Sequence, residues 1–311
     1  MLRALVRRLV PIVVRRAVWR VRRNVPRIAQ PLSFVAPRAS PPERPIFVIG
    51  CPRSGTTVLL ESLLRSTQLR SIHNEGHVLW QPHHHPRDRG WDSDRLGAGD
   101  VGKREREYVY LAVRMFVRGR RFVDKTPENC LRIPYLLELF PDSSFVFLRR
   151  RPAENVSSLM EGWRARPRFV TYRLPERLDG LGPLSGPNWS FVLIPGWRQL
   201  RSAPLEEICA RQYIACNEEV LEVRDGIEPS RWHDVAYEEL TAAPLETIRS
   251  LFERLGLAFG PAVEEHARSL ASRPSFTTLS PPRADKWREL NGPEVEKVLP
   301  LLAPVGRRLG Y

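Results

Sequence analysis

Between a short apolar run and a helical pattern lies Gly50-Cys51-Pro52-Arg53-Ser54-Gly55-Thr56-Thr57, a stretch whose residue types suit the holding of an anion. Two glycines let the backbone turn tightly enough for several N–H groups to converge on one oxyanion, and a helix start adds its positive end. The spacing fits G-x-x-x-x-G-x-T, with Thr56 standing where a nucleoside-triphosphatase carries lysine. That lysine reaches the β- and γ-phosphates, so its absence argues against hydrolysis of ATP or GTP. Arg53 can supply local positive charge to a ligand that has no γ-phosphate. The competing reading is an ordinary glycine turn, which the apolar run before it and the paired threonines after it oppose.

The elements around this loop must present it at a ligand-facing edge. Ile46-Phe47-Val48-Ile49, bounded by Pro45 and Gly50, reads as a buried parallel strand, and Val58 to Leu64 carries apolar residues at helical spacing. Further strand-like runs are Phe122-Val123, Phe145 to Leu148 and Val235-Ala236-Tyr237. Helical patterns cover Ile133 to Phe140, Ala153 to Trp163, Leu205 to Val223 and Leu245 to Leu255, with Gly256 placed to end the last. The alternation predicts an α/β fold of the P-loop type, a mainly parallel sheet flanked by helices. Open sheets of this kind bind ligands at the carboxyl ends of their strands, where Lys125 falls. Pro152 suits the first turn of a helix, which makes Arg149-Arg150-Arg151 a strand-to-helix junction.

These segments resemble the sulfotransferase superfamily that uses 3'-phosphoadenosine 5'-phosphosulfate (PAPS), in its bacterial, Golgi heparan and tyrosylprotein branches. Pro52-Arg53-Ser54-Gly55-Thr56-Thr57 is similar to the family's 5'-phosphosulfate loop. The family's arginine at a strand end, with a serine eight residues later, holds the 3'-phosphate; the best register here pairs Arg150 with Ser158. Asp124-Lys125-Thr126-Pro127, with Leu136-Leu137-Glu138-Leu139-Phe140-Pro141 after it, resembles a D-K-x-P strand end and its following helix, which implies Lys125 near the 5'-phosphate and the bridging oxygen. Asp124 is then a partner for Lys125 or a support for the loop. Val235-Ala236-Tyr237-Glu238-Glu239-Leu240 is similar to the segment whose tyrosine lies near adenine, a core role for Tyr237 being the alternative. Arg283 and Lys286 sit in the counterpart of a basic loop that closes on the 3'-phosphate. The resemblance covers about residues 45 to 311 and includes the terminal Leu309-Gly310-Tyr311.

What the resemblance implies is in-line sulfuryl transfer from PAPS to an acceptor hydroxyl, with Arg53 and Lys125 stabilising the leaving phosphate and no metal called for. The cytosolic branch takes its base from a K-T-H motif, which this sequence lacks. Other branches use a glutamate after the first helix, and Glu75 in His73-Asn74-Glu75-Gly76-His77 falls at or within a residue of it. His73 and His77 are the rivals, since histidine is a competent base near neutral pH.

Composition bounds the rest. A chain of 311 residues, 42% hydrophobic and 27% charged, can bury one substantial core. Its net charge of +14 points to anionic partners. A nucleotide kinase on the same scaffold is disfavoured by the missing lysine and magnesium motif, and a nucleic-acid-binding protein by the lack of any such motif. Residues 1–30 read as a basic arm, amphipathic or disordered, in which arginines through residue 27 alternate with leucine and valine; no run is long enough to span a membrane or to form a secretory signal. The expectation is a cytoplasmic protein, with the arm able to touch an anionic membrane surface at the inner leaflet. Residues 31–44 read as a proline-rich linker and 45–311 as one domain. The four cysteines show no paired or zinc spacing, and His83-His84-His85 reads as a solvated loop. Residues 164–204, with Trp189, Phe191 and Trp197, are a candidate acceptor-binding insertion or a packing element. The acceptor could be a glycan, a lipid or another small molecule.

Overall fold

The inner strands of the central sheet carry apolar side chains to both faces, as burial on both sides requires. A computed structural model describes residues 40–72, 75–270, 275, 277–279 and 283–311. The basic arm, most of the linker, His73 and Ser280-Pro281-Pro282 lie outside these described residues. The strands are β1 (Ile46–Ile49), β2 (Leu69–Arg70), β3 (Arg121–Asp124), β4 (Ser144–Arg149), β5 (Val170–Leu178), β6 (Gly186–Ser190) and β7 (Trp232–Ala236). Five of them form one parallel sheet in the order β2-β3-β1-β4-β7, while β5 and β6 pair antiparallel as a separate hairpin. Phe47, Ile49, Phe122, Phe145 and Phe147 face one core, and Ile46, Val48, Val123, Val146, Leu148 and Val235 face the other. The fold expectation of a mainly parallel, doubly covered sheet therefore holds.

Helix α1 (Thr56–Leu63) follows the loop after β1, then α2 (His77–His84), α3 (Lys103–Val117), α4 (Ile133–Leu139) and α5 (Pro152–Arg164). Beyond the hairpin come α6 (Leu205–Arg224), α7 (Tyr237–Ala242), α8 (Pro244–Arg254), α9 (Pro261–Ser269) and α10 (Lys286–Arg308), which bends at Asn291. Tyr237 begins α7 rather than ending β7, a one-residue correction that turns its ring over the loop after β1. His83 and His84 are the last turn of α2, not a solvated loop: His83 packs on Tyr108, and His84 pairs with Glu105 at 2.8 Å.

The segment 164–204 is a packing element as well as a cleft wall. Trp163, Trp189 and Trp197 are fully buried and meet edge to face, with centroids 5.3 and 6.0 Å apart. Gln212 of α6 accepts from Trp163 Nε1 and donates to the carbonyls of Ser190 and Val192. Asp94 ties the hairpin to the body. Its carboxylate accepts from Arg132 at 3.0 Å, from the Tyr172 hydroxyl at 2.6 Å and from the Leu193 amide at 2.7 Å.

Both members of the Asp94–Arg132 pair are almost wholly buried. Removing one leaves a charge in a low-dielectric interior, which costs about 3–5 kcal/mol. Asp94→Ala is expected to lower the stability from denaturant unfolding by that amount, and a loss below about 1 kcal/mol would show that the hairpin is held by its tryptophans alone.

Candidate functional site

Four adjacent strands deliver a functional residue each to one edge of the sheet. Gly50 follows β1, Lys125 follows β3, Arg150 follows β4 and Tyr237 follows β7. With α5 and the hairpin they line one open cleft. Of the sequence-predicted residues, Pro52, Arg53, Gly55, Thr56, Thr57, Glu75, Lys125, Arg150, Ser158, Tyr237 and Lys286 all line it. Ser54 is buried beneath the loop, where its amide donates to Cys51 O at 3.1 Å. Arg283 does not reach the cleft: it is exposed and bound to Glu289 at 2.5 Å, one turn into α10. Position in a basic segment cannot tell which cation turns inward, and here it is Lys286.

The loop shape depends on absent side chains. A Cβ on Gly50 would stand 2.5 Å from the Leu148 carbonyl, and one on Gly55 would stand 2.7 Å from the Tyr237 ring. Gly55 also has φ +98°, a left-handed conformation that glycine adopts without a steric cost. Arg150 fastens the loop from the neighbouring strand, donating from Nη1 to Arg53 O at 2.7 Å. Its guanidinium lies 4.2 Å from the centre of the Tyr237 ring, so Tyr237 stands in the site rather than in the core. Asn155 adds a bond from Nδ2 to Pro52 O at 2.8 Å. Sequence reasoning missed Asn155, although its place between Arg150 and Ser158, on the first turns of α5, was the available signal.

Two cations face the middle of the cleft, each with internal partners. Arg53 donates from Nε to Ser158 Oγ at 3.3 Å and from Nη1 to Thr277 O at 2.8 Å, and stacks 4.9 Å over Phe169. Burial, helped by the charge of Arg150, pushes its guanidinium down to about 10, so it remains protonated at neutral pH. Lys125, 3% exposed, meets Glu75 Oε1 at 2.6 Å. Asp124 is not its partner. That carboxylate accepts from Thr126 and Asn129 instead, at 2.9 and 2.8 Å.

Glu75 carries a second contact, Oε2 to His77 Nε2 at 3.0 Å. Burial opposes its ionisation, but the His77 hydrogen bond and the Lys125 charge outweigh that and hold it at about 2. His77 moves the other way: burial disfavours its charge, while Glu128 at 3.9 Å and Glu75 push it up to about 9. At the mouth, Lys286 pairs with Glu161 at 3.2 Å. Chemically, the cleft offers a phosphate loop, four basic side chains (Arg53, Lys125, Arg150 and Lys286) and two carboxylates, the ionised Glu75 beside Lys125 and Glu161 beside Lys286.

Residues 45–179 match the sulfotransferase family model. A Mycobacterium bovis protein named omega-hydroxy-beta-dihydromenaquinone-9 sulfotransferase is 25% identical over 142 residues, which is 46% of this chain and 30% of that protein. An Aquifex aeolicus protein of unassigned role is 24% identical over 88% of this chain and 36% of its own length. The chain thus spans about a third of the length of the curated relatives it matches. Among solved structures, a Mycobacterium avium sulfotransferase superposes with TM-score 0.56 at 18% identity, covering 90% of this chain and 78% of that one. The sulfotransferase domain from the curacin biosynthetic pathway superposes with TM-score 0.51 at 19% identity, covering 85% and 99%. Residues 45–179 are thus similar in sequence to the sulfotransferase family, and most of the chain shares the fold of sulfotransferases of known structure.

Proposed function

We propose that the chain transfers the sulfuryl group of PAPS to an acceptor hydroxyl, with Glu75 as base and Lys125 and Arg53 as the cations that stabilise the departing phosphate. The observation that carries this reading is the 2.6 Å contact between Lys125 Nζ and Glu75 Oε1 beside a phosphate loop without the triphosphatase lysine. It sets a proton acceptor and a leaving-group cation side by side, as in-line transfer between two oxygens needs.

The residues divide the work. Backbone N–H groups of the loop and the start of α1 suit the 5'-phosphosulfate, and Thr56 and Thr57 border the same space. Arg150 and Ser158 suit the 3'-phosphate, with Lys286 beside them and the Tyr237 ring for adenine. PAPS, as substrate, brings an activated sulfuryl group whose leaving oxygen gains charge as the S–O bond breaks. Lys125 can turn from Glu75 to that oxygen, which frees Glu75 Oε1 to accept the acceptor's proton. The acceptor is a small-molecule or lipid hydroxyl in this reading. Phe169 and Phe191, stacked with centroids 5.3 Å apart, give the cleft an apolar wall, and the M. bovis relative is named for a hydroxylated menaquinone.

Calorimetry separates donor recognition from catalysis. The full chain is expected to bind 3'-phosphoadenosine 5'-phosphate (PAP) at least tenfold more tightly than ATP, and Ser158→Ala to weaken PAP about tenfold for the lost hydrogen bonds. Equal or tighter binding of ATP would remove PAPS as the donor. Glu75→Gln is expected to keep PAP affinity while kcat falls about 10²- to 10⁴-fold, the usual worth of a positioned base. Near-wild-type turnover in that variant would take the role from Glu75.

The pH dependence follows from the same contacts. With its carboxyl held at about 2, Glu75 stays ionised through the working range, so the kcat/KM profile is expected to show no acid limb from it above pH 4. A limb centred near 6 would point to a histidine as base instead.

A further inference from the structure

His77 opens α2 two residues after Glu75, and its ring spans two carboxylates on different segments. Nε2 meets Glu75 Oε2 at 3.0 Å, and Nδ1 faces Glu128 Oε2 at 3.9 Å. Glu128 is 2% exposed, and that oxygen has no hydrogen-bond partner among the described residues. A buried carboxylate oxygen without a bonded donor is costly unless a cation faces it, and the imidazolium does so.

The backbone under the ring is clamped as well. Gly76 N donates to Thr126 Oγ1 at 2.7 Å, and Thr126 Oγ1 donates to Asp124 Oδ2. A Cβ on Gly76 would stand 2.5 Å from Asp124 Oδ1, so only glycine lets this segment sit against the end of β3. The charged groups that face His77 are Glu75, Glu128 and Asp124 on the anionic side and Lys125 and Arg132 on the cationic side. The carboxylates that touch or approach the ring are the nearer set, which favours its charged form.

Resting on the reading of Glu75 as base, we infer that His77 is its positioning residue. Held by Glu128, it keeps hold of Glu75 Oε2, so that Oε1 alone exchanges Lys125 for the acceptor hydroxyl. A carboxylate held at one oxygen cannot rotate to serve Lys125 and an acceptor at once. The acceptor's proton therefore has a place on Oε1 only after Lys125 has turned to the leaving phosphate oxygen. This resembles the way an outer carboxylate orients a catalytic imidazole, with the two groups exchanged. Nothing in the step needs a further reactant, because the proton passes from acceptor oxygen to Glu75 Oε1 as the new S–O bond forms and the old one breaks.

The test has an arm that does not depend on turnover. NMR titration of the imidazole nitrogens in the full chain is expected to place the His77 midpoint near 9. Glu128→Gln and Glu75→Gln should each lower it by a unit or more. A ring that titrates near the ordinary value of about 6.5 in the wild type overturns the inference. In turnover, His77→Gln is expected to cut kcat about 10- to 100-fold while PAP affinity and the donor KM stay within about twofold, the split expected of an outer residue. Its pH profile should also gain an acid limb above pH 4, and Glu128→Gln should do the same more weakly. Wild-type kcat with an unmoved profile in both variants overturns the inference while leaving PAPS transfer standing. A wild-type chain that binds no PAP and transfers no sulfuryl group sinks the sulfotransferase reading itself, and the ring titration still decides whether the clamp exists.

Discussion

Parallel pairing of β1 with β3 on one side and β4 on the other, in a register that sets Phe47 beside both Asp124 and Phe145, ends three strands at one edge. Gly50, Lys125 and Arg150 then occupy neighbouring positions with no long side chain needed to bring them together. The apolar faces of these strands hold that register, because a shift of one residue would exchange the two cores. At the edge itself the tolerance is set by backbone contact. Gly50 against the Leu148 carbonyl and Gly55 against the Tyr237 ring leave no room for a methyl group, so the loop sits as low on the sheet as its atoms allow. Arg150 and Asn155 bond its carbonyls, which holds its backbone in place.

A cleft meant for a polyanion must keep several cations close before the anion arrives. Burial disfavours the charge on Arg53, and repulsion from Arg150 adds to that cost, as the lowered position of Arg53 reflects. The cost is met locally: Ser158 and Thr277 O bond Arg53, the Tyr237 face and Glu154 lie against Arg150, Glu75 binds Lys125 and Glu161 binds Lys286. Each pairing is a partner that phosphate oxygens could replace, so donor affinity is a difference between two sets of contacts. The rest of the net positive charge lies largely elsewhere on the chain and adds long-range attraction more than local binding.

What the sequence disclosed and what it hid divide by distance along the chain. The loop, Lys125 and Arg150 were legible as residues of one sheet edge because each follows an apolar strand run, whereas Ser158 came from resemblance and its hydroxyl meets Arg53 rather than Arg150. Glu75 was legible only through resemblance, since no local pattern marks it. The Asp94–Arg132–Tyr172 network was not legible, because its members lie 38 and 78 residues apart in hydrogen-bonding separation and meet only when the hairpin folds back. The 164–204 segment concealed its hairpin behind prolines and glycines, and its tryptophans acquired meaning only with Gln212 beneath them. Arg283 was misplaced for a related reason: whether a cation at a helix start faces a cleft depends on which turn its neighbour Trp287 buries, a tertiary fact. His83 and His84 were read as solvated from the prolines around them, but Pro82 lies within α2 and the ring of His84 finds Glu105 of α3.

The Glu75–Lys125 contact links these levels, and its consequence is a matter of competition. A carboxylate held at about 2 by a lysine and an imidazolium is ionised but only weakly basic. Basicity increases once the lysine leaves, and the group able to draw it away is the same phosphate whose departure the reaction must assist. In the proposed reaction the cation and the base are therefore coupled through one oxygen: while Lys125 is on Glu75, neither the leaving group nor the acceptor is served, and when it moves, both are. That ordering arises from a 2.6 Å ion pair at a strand end and requires no moving domain. It also explains why the histidine beside Glu75 should carry charge. Without a second cation on Oε2, release of Lys125 would leave the carboxylate free to turn toward whichever donor lay nearest.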